Sequence, residues 1–256
     1  MNKHSLDSIS NRHYIEEAYH DKETKKGVFK AGHSIAGEMS YYKFFYDLIG
    51  DVYGLTVLDV GCGTGWLSIK LAECGAKVYG IDISGELIKT AKANAHGVKG
   101  NFQIEFNRIA LEDIKFENDF FDIVIGSAIL HHTDIKVSLQ NIFHAVKPRG
   151  RAIFIEPLNE NPALRLWRIL TPKRRSPTER ALRNEDLKYI MNVFPKSKCH
   201  YFGLSSIISY GAMMYFPKSS IIKKANNFLE KFDMLLSNRI NSIGPMHAVV
   251  VLELQK

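Results

Sequence analysis

The sequence predicts an α/β fold in which helices cover both faces of a mostly parallel, doubly wound sheet. Two observations carry this prediction. Between residues 55 and 157, short apolar and β-branched runs alternate with segments whose apolar residues recur at helical spacing. In addition, a turn with three glycines joins the first of these runs to the first helix. Such alternation implies right-handed crossovers between parallel strands.

The glycine turn is the stretch around which the chain is organised. Leu55 to Val60 is interpreted as a buried strand, because it is apolar and β-branched apart from one acid. Trp66 to Cys74 is predicted to be the following helix. Glycine lacks a Cβ and adopts positive φ without steric cost, so the turn can press its backbone against a ligand at the helix N-terminus. The full stretch is Val57-Leu58-Asp59-Val60-Gly61-Cys62-Gly63-Thr64-Gly65.

The spacing of the glycines distinguishes between nucleotide cofactors. The dinucleotide fingerprint is G-x-G-x-x-G, whereas here Gly65 comes one residue early and Trp66 holds the position of the third glycine. Asp59 precedes Gly61 by two residues, which gives the form D-x-G-x-G-x-G. In this form the chain resembles the class I S-adenosylmethionine-dependent methyltransferases of the small-molecule, type 11 group, whose glycine loop holds the methionine end of the cofactor. A turn without a ligand and a nicotinamide enzyme are the alternatives.

Length and composition limit the class of protein. With 256 residues, of which 45% are hydrophobic, one elaborated domain over residues 1–256 is expected. The formal net charge of +7 weakly favours an anionic partner. Three cysteines without a C-x-x-C pair predict neither a disulfide framework nor a zinc site, so a cytoplasmic location and no metal are expected. The polar N-terminus predicts no signal peptide, and the apolar stretches are too short to span a membrane.

The second strand follows the glycine turn and its helix. Lys77 to Ile83 is predicted to be a strand with Asp82 at its end, and Ser84 is the expected N-cap of a helix over residues 86–96. Asp82 lies about 20 residues beyond the turn, where α/β nucleotide folds place an acid that accepts hydrogen bonds from both ribose hydroxyls. An ordinary helix N-cap is the alternative role for this residue.

A third strand is predicted over residues 101–106, followed by the segment from Ile109 to Ile114. Members of the family carry an acid at the start of this segment that bonds the adenine amino group, and the resemblance places Ala110 there. This departure leaves the backbone amide of Leu111, the neighbouring acid Glu112 or a different register to contact adenine.

Polar side chains follow the fourth and fifth predicted strands. Residues 120–127 form the fourth, which ends at Ser127 and leads to His131 and His132. A helix over residues 134–146, a turn over 147–150 and a fifth strand over 151–155 come next, and Glu156 ends that strand. Because ligands bind at the carboxyl ends of parallel strands, the two histidines and Glu156 are expected at the site of chemistry.

The resemblance covers residues 55–157 and implies a Rossmann-like, doubly wound seven-stranded sheet, mostly parallel with an antiparallel last strand, plus helical cap insertions. Residues 198–204 and 246–254 are expected to be its antiparallel final pair.

The remaining segments are expected to enclose the substrate. Residues 1–50, with a helix over 38–49, are interpreted as an N-terminal helical lid, and residues 158–192 and 204–242 as cap insertions. Four aromatic or histidine side chains of the lid either line the site or pack the lid onto the core. They are Tyr14, Tyr19, His33 and Tyr41.

Two features of the cap segments suggest partners. The first cap contains two predicted short helices and a basic stretch. This stretch either binds an anionic part of the acceptor or is a solvated face. Its basic residues are Arg165, Arg168, Lys173, Arg174, Arg175, Arg180 and Arg183. The second cap contains an amphipathic helix, which either packs over the body or makes a peripheral membrane contact through residues 204–236.

The sequence therefore predicts methyl transfer to a small-molecule acceptor. O-methylation of a bulky, partly apolar or anionic metabolite, natural product, quinone or lipid is favoured. A neutral oxygen must lose its proton, so His131 or His132 is the expected base, with Glu156 orienting it or holding a substrate hydroxyl. A nucleic-acid methyltransferase, for which no recognition motif is found, and a non-catalytic cofactor-binding protein are the alternatives.

The residues expected to bind the cofactor S-adenosyl-L-methionine lie at the ends of the first four strands. They are Asp59, Gly61, Cys62, Gly63, Gly65, Asp82, Ile83, Ala110, Leu111, Glu112 and Ser127.

Overall fold

The computed structural model describes residues 3–27, 39–98, 100, 102–171, 175–216, 218–239, 244 and 246–256, without the side chains of residues 3–7, 214, 215 and 237–239. His33, Lys173 and Arg174, named above, lie outside the described residues. In chain order the helices are α1 (Lys3–Lys25), α2 (Ser40–Ile49), α3 (Trp66–Glu73), α4 (Gly85–His96), α5 (Ile135–Ala145), α6 (Pro162–Leu170), α7 (Asn184–Val193), α8 (Ile207–Tyr215) and α9 (Ser220–Arg239).

A seven-stranded sheet forms the centre of the fold. The strands are β1 (Thr56–Val60), β2 (Lys77–Asp82), β3 (Ile104–Arg108), β4 (Phe121–Ser127), β5 (Val146–Pro157), β6 (Lys198–Phe202) and β7 (Val249–Gln255). Their order is β3-β2-β1-β4-β5-β7-β6. Strands β1 to β5 pair in parallel, whereas β7 is antiparallel to both of its neighbours. The predicted α/β class, strand number and antiparallel last strand are confirmed.

Alternate residues of the central strands face two hydrophobic layers. On one face, Val57 and Ile125 pack with Phe45 of α2 and Leu71 of α3. On the other face, the neighbouring residues of the same strands pack against α5 and α7; this second layer includes Leu58, Val124, Phe154, Ile142 and Ile190. Each fully buried side chain of this size contributes about 1.5–3 kcal/mol through the hydrophobic effect. Because both faces are covered, the central strands have nearly continuous apolar sequences.

Strands β3 and β5 differ from their predicted bounds. Strand β3 continues through Asn107 and Arg108, because an edge strand pairs on one side only and tolerates polar residues there. Strand β5 includes residues 147–150, which were predicted to form a turn. The pairing of β4 with β5 passes from Phe121–Val146 directly to Ile123–Arg151, so residues 147–150 bulge out of the ladder within β5, and Arg149 adopts a φ of 67° there.

The helix termini agree with the capping residues of the sequence. Ser84 accepts a hydrogen bond from the backbone N–H of Leu87, so the predicted N-cap of α4 is confirmed. Asp134 caps α5 in the same way. The two short helices predicted in the first cap are α6 and α7.

Helix α9 departs from the expectation that its apolar face packs over the body. Among the side chains described for residues 220–236, the two that are buried are polar, Asn226 and Asp233, whereas Ile221 and Phe228 are 78% and 70% exposed. Asp233 accepts hydrogen bonds from the backbone N–H and hydroxyl groups of Ser205 and Ser206, so polar contacts fix this helix.

Among the described helices, none combines the length and the apolar composition that a membrane span requires.

Candidate active site

A cavity of about 420 Å³ lies at the carboxyl ends of β1, β2 and β4. This volume is within the range of small-molecule and cofactor sites. Its floor is the glycine turn and its roof is one face of α1. Of the predicted site residues, those that line it are Asp59, Gly61, Cys62, Gly63, Asp82, Ile83, Ala110, Leu111, Glu112, Ser127 and His132.

The three glycines of the turn have different roles. All three have positive φ, at 67° for Gly61, 56° for Gly63 and 77° for Gly65. A Cβ on Gly65 would lie 2.7 Å from the Phe106 ring and 2.9 Å from Ala91, so this glycine permits close packing behind the turn and does not line the cavity. A Cβ on Gly63 would meet no described atom within 4 Å, so the turn leaves open space for a ligand there.

Asp59 is buried beneath the turn, where it accepts a hydrogen bond from the Ser68 hydroxyl. Burial raises the pKa of Asp59 to about 7, against the opposing effect of that hydrogen bond. A buried carboxylate without a cation is unfavourable, so the site favours a ligand that carries positive charge next to Asp59.

Asp82 ends β2 and is 8% exposed. Its Oδ2 accepts the N–H of Gly63 at 3.0 Å and its Oδ1 accepts the N–H of Ser84 at 2.9 Å. Burial raises the pKa of Asp82, although the two backbone hydrogen bonds lower it. Each oxygen keeps a further lone pair, so the carboxylate can also accept hydrogen bonds from a ligand in the cavity.

The segment after β3 forms one wall. Leu111–Asp113 is a single 3₁₀ turn, and the Asn141 side chain donates hydrogen bonds to the carbonyls of Leu111 and Glu112. Glu112 is itself bound, because it accepts the backbone N–H of Asp134 at 2.7 Å and lies 3.3 Å from His13 Nε2. The neighbouring Glu112 carboxylate raises the pKa of His13. Ala110 also lines a shallower pocket that continues towards Arg108 and Phe116.

The backbone that leaves β4 is held by Glu156. Ala128 has a φ of 55°, an uncommon conformation for a residue with a Cβ. The fully buried Glu156 accepts the N–H groups of Ile129 and Leu130 at 2.9 and 2.7 Å. His131 Nδ1 lies 2.8 Å from the second oxygen of Glu156, and neither residue lines the cavity. The Glu156–His131 pair therefore fixes the strained turn from behind.

His132 faces the cavity and contacts α1. Its Nδ1 lies 3.0 Å from Glu16 Oε2, and its Nε2 lies 3.9 Å from Glu179. The other oxygen of Glu16 accepts hydrogen bonds from the hydroxyls of Ser176 and Thr178. Burial and the neighbouring charge of His131 lower the pKa of His132, although Glu16 raises it. Burial acts to raise the pKa of Glu16, but the hydrogen bonds from His132 and His20 hold it far below its usual range.

The face of α1 over the cavity consists of His13, Glu16 and His20. The aromatic residues that the sequence suggested for this role lie elsewhere: Tyr14 is 74% exposed, and Tyr41 packs against Tyr42, Phe202 and Tyr210. The spacing of the three lining residues, three and then four positions apart on a polar helix, is a signal that could have identified this face.

Further contacts attach α1 to the body through polar groups. Asp21 accepts hydrogen bonds from the Ser84 hydroxyl and the Glu86 N–H, and Glu17 forms an ion pair with Arg108. The sequence reasoning also missed other cavity side chains, namely Tyr42, Tyr46, Trp66, Leu67, Leu87 and Ile129.

The basic stretch of the first cap divides into two parts. Arg180 forms a bidentate ion pair with Asp186, and Arg183 lies near Glu185, so these two residues serve the start of α7. Arg175 donates a hydrogen bond to the carbonyl of Arg168, and its Nε lies 4.0 Å from Glu179, the acid beside His132. Burial lowers the pKa of Arg168.

Known proteins resemble this chain over the region that carries the site. A family model described as a methyltransferase domain matches residues 57–150. A ubiquinone biosynthesis O-methyltransferase of Bordetella avium is 33% identical over 129 residues, which are 50% of this chain and 53% of the relative. The protein of the same name from Idiomarina loihiensis is 38% identical over 112 residues, which are 43% and 45% of the two chains. This chain thus spans about half the length of the curated relatives it matches.

Solved structures share the fold at low sequence identity. An S-adenosylmethionine dependent methyltransferase from Mesorhizobium loti has a TM-score of 0.59 at 18% identity and covers 86% of this chain and 100% of its own. Magnesium protoporphyrin IX methyltransferase from Synechocystis PCC 6803 with bound SAH has a TM-score of 0.58 at 20% identity and covers 75% and 94%.

Proposed function

We propose that this chain, which has the fold of the class I S-adenosylmethionine-dependent methyltransferases and matches the methyltransferase-domain family over residues 57–150, methylates a hydroxyl group of a small molecule. One observation carries the proposal. The cavity at the ends of β1, β2 and β4 is lined by two buried acids, Asp59 and Asp82, together with the glycine turn. A ligand with positive charge and vicinal hydroxyls matches this pair of acids.

S-adenosyl-L-methionine supplies an activated methyl group on a sulfonium when it is bound. In this proposal, Asp59 and the backbone of Gly61, Cys62 and Gly63 hold its methionine end, and Asp82 accepts hydrogen bonds from the ribose. Residues 110–112 and Ile83 contact adenine, and Ser127 lies beside the reacting end. The packing of Gly65 against Phe106 and Ala91 supports a role in shaping the turn for this residue.

His132 is the histidine that we assign as the base. Because Glu16 carries an ionised carboxylate, the Nδ1 of His132 donates to it, which leaves Nε2 with a lone pair for the acceptor proton. His131 and Glu156 hold the loop that carries His132 and so act as positioning residues. Aligning donor and acceptor in one cavity lowers the barrier further, since displacement at a methyl group depends on in-line geometry.

The acceptor is proposed to be a hydroxylated aromatic compound such as a quinone precursor. Two observations support it: the partial matches to ubiquinone biosynthesis O-methyltransferases, and the aromatic walls of the cavity formed by Tyr42, Tyr46 and Trp66. Arg168 and Arg175 lie near Glu179 at the side of His132, and they would bind an anionic group of the acceptor.

The roles of the segments around the cavity as a lid and caps stay predictions. Residues 1–50 are proposed as a lid, and residues 158–192 and 204–242 as caps over the acceptor. The contacts of Ser176 and Thr178 with Glu16 support this role for the first cap. A cytoplasmic location also stays a prediction.

The assignment is tested by following labelled methyl groups from S-adenosylmethionine onto a panel of phenolic and quinol acceptors. Transfer to at least one acceptor is expected, and His132→Ala should reduce turnover roughly a hundredfold. His144→Ala is the matched control, because that histidine is exposed on α5. Cofactor binding without transfer to any acceptor would favour the non-catalytic alternative, and full turnover of His132→Ala would exclude the base.

A peripheral contact with an anionic membrane surface is proposed for α9. Large apolar side chains of this helix are exposed, including Phe228 and Phe232, and Lys224 and Lys231 lie beside them. The protein should float with vesicles that contain phosphatidylglycerol and not with purely zwitterionic ones. The double variant Phe228→Asp/Phe232→Asp should lose this binding, and equal flotation of the variant and the unaltered protein would contradict the contact.

A further inference from the structure

Three potential metal ligands converge at the roof of the cavity. Glu16 and His20 lie one turn apart on α1, and His132 follows β4, 116 positions beyond Glu16. His132 Nδ1 lies 3.0 Å and His20 Nε2 lies 3.5 Å from the same carboxylate oxygen, Glu16 Oε2. The three ligand atoms all lie within 4.8 Å of one another. We call this group the α1–His132 cluster.

The distances in the cluster suit a transition-metal ion. Zn²⁺ binds histidine nitrogen and carboxylate oxygen at about 2.0–2.2 Å, so neighbouring ligand atoms around a tetrahedral ion are about 3.3–3.5 Å apart. The two separations from Glu16 Oε2 bracket this value, and a small side-chain adjustment would admit an ion between the groups. Two imidazoles and one carboxylate are a donor set that favours zinc and its neighbours over magnesium or calcium.

The groups around the cluster hold its carboxylate in place. The hydroxyls of Ser176 and Thr178 both donate to Glu16 Oε1, which leaves Oε2 directed at the two histidines. Outer hydrogen bonds of this kind orient the ligands of known metal sites. Glu16 is 3% exposed, so the cluster is shielded from bulk solvent on the protein side.

The cluster faces the cavity. Glu16, His20 and His132 all line the cavity of about 420 Å³. Three protein ligands with one position open to a cavity are typical of catalytic and not of structural zinc sites. We propose that Glu16, His20 and His132 bind one divalent ion of the zinc class, with the open coordination position directed into the cavity.

Binding of this ion has two consequences. It joins α1 to the loop after β4, so it closes the roof of the cavity. It also occupies the oxygen and nitrogen atoms that otherwise share a proton between Glu16 and His132. Resting on the proposed function, an acceptor hydroxyl in the open position would bind the ion through oxygen and release its proton to solvent, because a metal-bound hydroxyl is more acidic. The ion-loaded site would then not use His132 as its base.

Zinc binding can be measured without any acceptor. The full chain is freed of metals by dialysis against a chelator and titrated with zinc alone in competition with a chromophoric chelator. One equivalent should bind, and Glu16→Gln, His20→Gln and His132→Gln should each weaken binding at least about a hundredfold, because each removes one of three ligands. Magnesium should not compete.

Controls separate this site from adventitious binding and from misfolding. His96→Gln and His144→Gln alter exposed histidines and should leave zinc affinity unchanged. Ser176→Ala keeps all three ligands and should weaken binding about tenfold, as loss of an outer hydrogen bond does. Circular dichroism and thermal melting identify any variant that fails to fold, and zinc should slow amide hydrogen exchange in α1 of the unaltered protein.

The outcomes distinguish this inference from the proposed function. Asp82→Asn should still bind one equivalent of zinc even if it no longer binds S-adenosylhomocysteine. The metal site is overturned if no stoichiometric zinc binds, or if the three ligand variants bind zinc as tightly as the control variants. A failure of methyl transfer would not change whether the chain is found to bind zinc or not.

Discussion

Replacing Glu156 by alanine is expected to lower the free energy of unfolding by about 3–5 kcal/mol, because several buried donors lose their common acceptor at once. Glu156 is fully buried and accepts the N–H groups of Ile129 and Leu130. It also bonds His131 at 2.8 Å. Alanine would leave these donors buried without an acceptor, which costs more than the bonds themselves contribute.

The loss should also reach the active site. Ala128 keeps its φ of 55° next to the loop that Glu156 holds, so the turn should relax when the carboxylate is removed. His132 would then move relative to the cavity. Affinity for S-adenosylhomocysteine should fall together with stability, because Ser127, Ala128 and Ile129 line that cavity.

Urea denaturation followed by circular dichroism measures the effect. For a chain of this size the melting temperature should fall by about 2–4 °C per kcal/mol. Glu156→Gln keeps the volume and one acceptor oxygen, so it should be destabilised less than Glu156→Ala. Glu160→Ala, a partly exposed acid that follows β5, is the control. An unfolding free energy of Glu156→Ala equal to that of Glu160→Ala would contradict the positioning role.

Replacing Asp82 is expected to weaken cofactor binding by about 100- to 10,000-fold. A hydrogen bond to a charged group contributes about 1.5–3 kcal/mol, and the ribose would form two of them with this carboxylate. Each 1.4 kcal/mol corresponds to about a tenfold change in affinity. Because Asp82 also accepts the N–H groups of Gly63 and Ser84, its removal would loosen the glycine turn as well.

Calorimetric titration with S-adenosylhomocysteine separates these two effects. Asp82→Asn retains the side-chain volume and an oxygen that can accept one backbone hydrogen bond, whereas Asp82→Ala loses both. Both variants should bind the cofactor weakly, and only Asp82→Ala should lose appreciable stability. Asp47→Asn, on the exposed side of α2, is the matched control. Unchanged affinity in Asp82→Asn would remove the ribose assignment.

Most residues of the cavity floor could be predicted from the sequence, because they lie at the end of a strand or in the turn after it. Asp59, Gly63 and Asp82 stand at fixed offsets from β1 and β2, and parallel strands bring their carboxyl ends to one edge. The third glycine shows the limit of this reasoning. Its motif position suggests contact with a ligand, but Gly65 packs against Phe106, a residue of β3 that only the folded chain brings there.

The predicted bounds of secondary-structure elements were wrong where the local residue pattern and the strand pairing disagreed. Residues 147–150 contain proline and glycine and so resemble a turn, yet they form a bulge within β5, because β5 pairs with β4 on both sides of them, at Val146 and at Arg151. Arg149 takes a φ of 67° there, a conformation that glycine adopts more readily. Helix α9 is similar: its apolar periodicity predicted burial, but its buried residues Asn226 and Asp233 form hydrogen bonds with Ser209 of α8 and with Ser205 just before α8.

Local sequence by itself determined the sheet, its parallel order and the acids beneath the glycine turn. These depend on residue spacing within single strands and turns, which the linear order of the chain already contains. Only the tertiary structure decided which histidine faces the cavity and what it meets. His131 and His132 are adjacent in sequence, yet one bonds Glu156 behind the loop and the other bonds Glu16 of α1. The physical reason is that α1 joins the site through polar side-chain contacts across more than a hundred residues, and no local periodicity encodes such pairs.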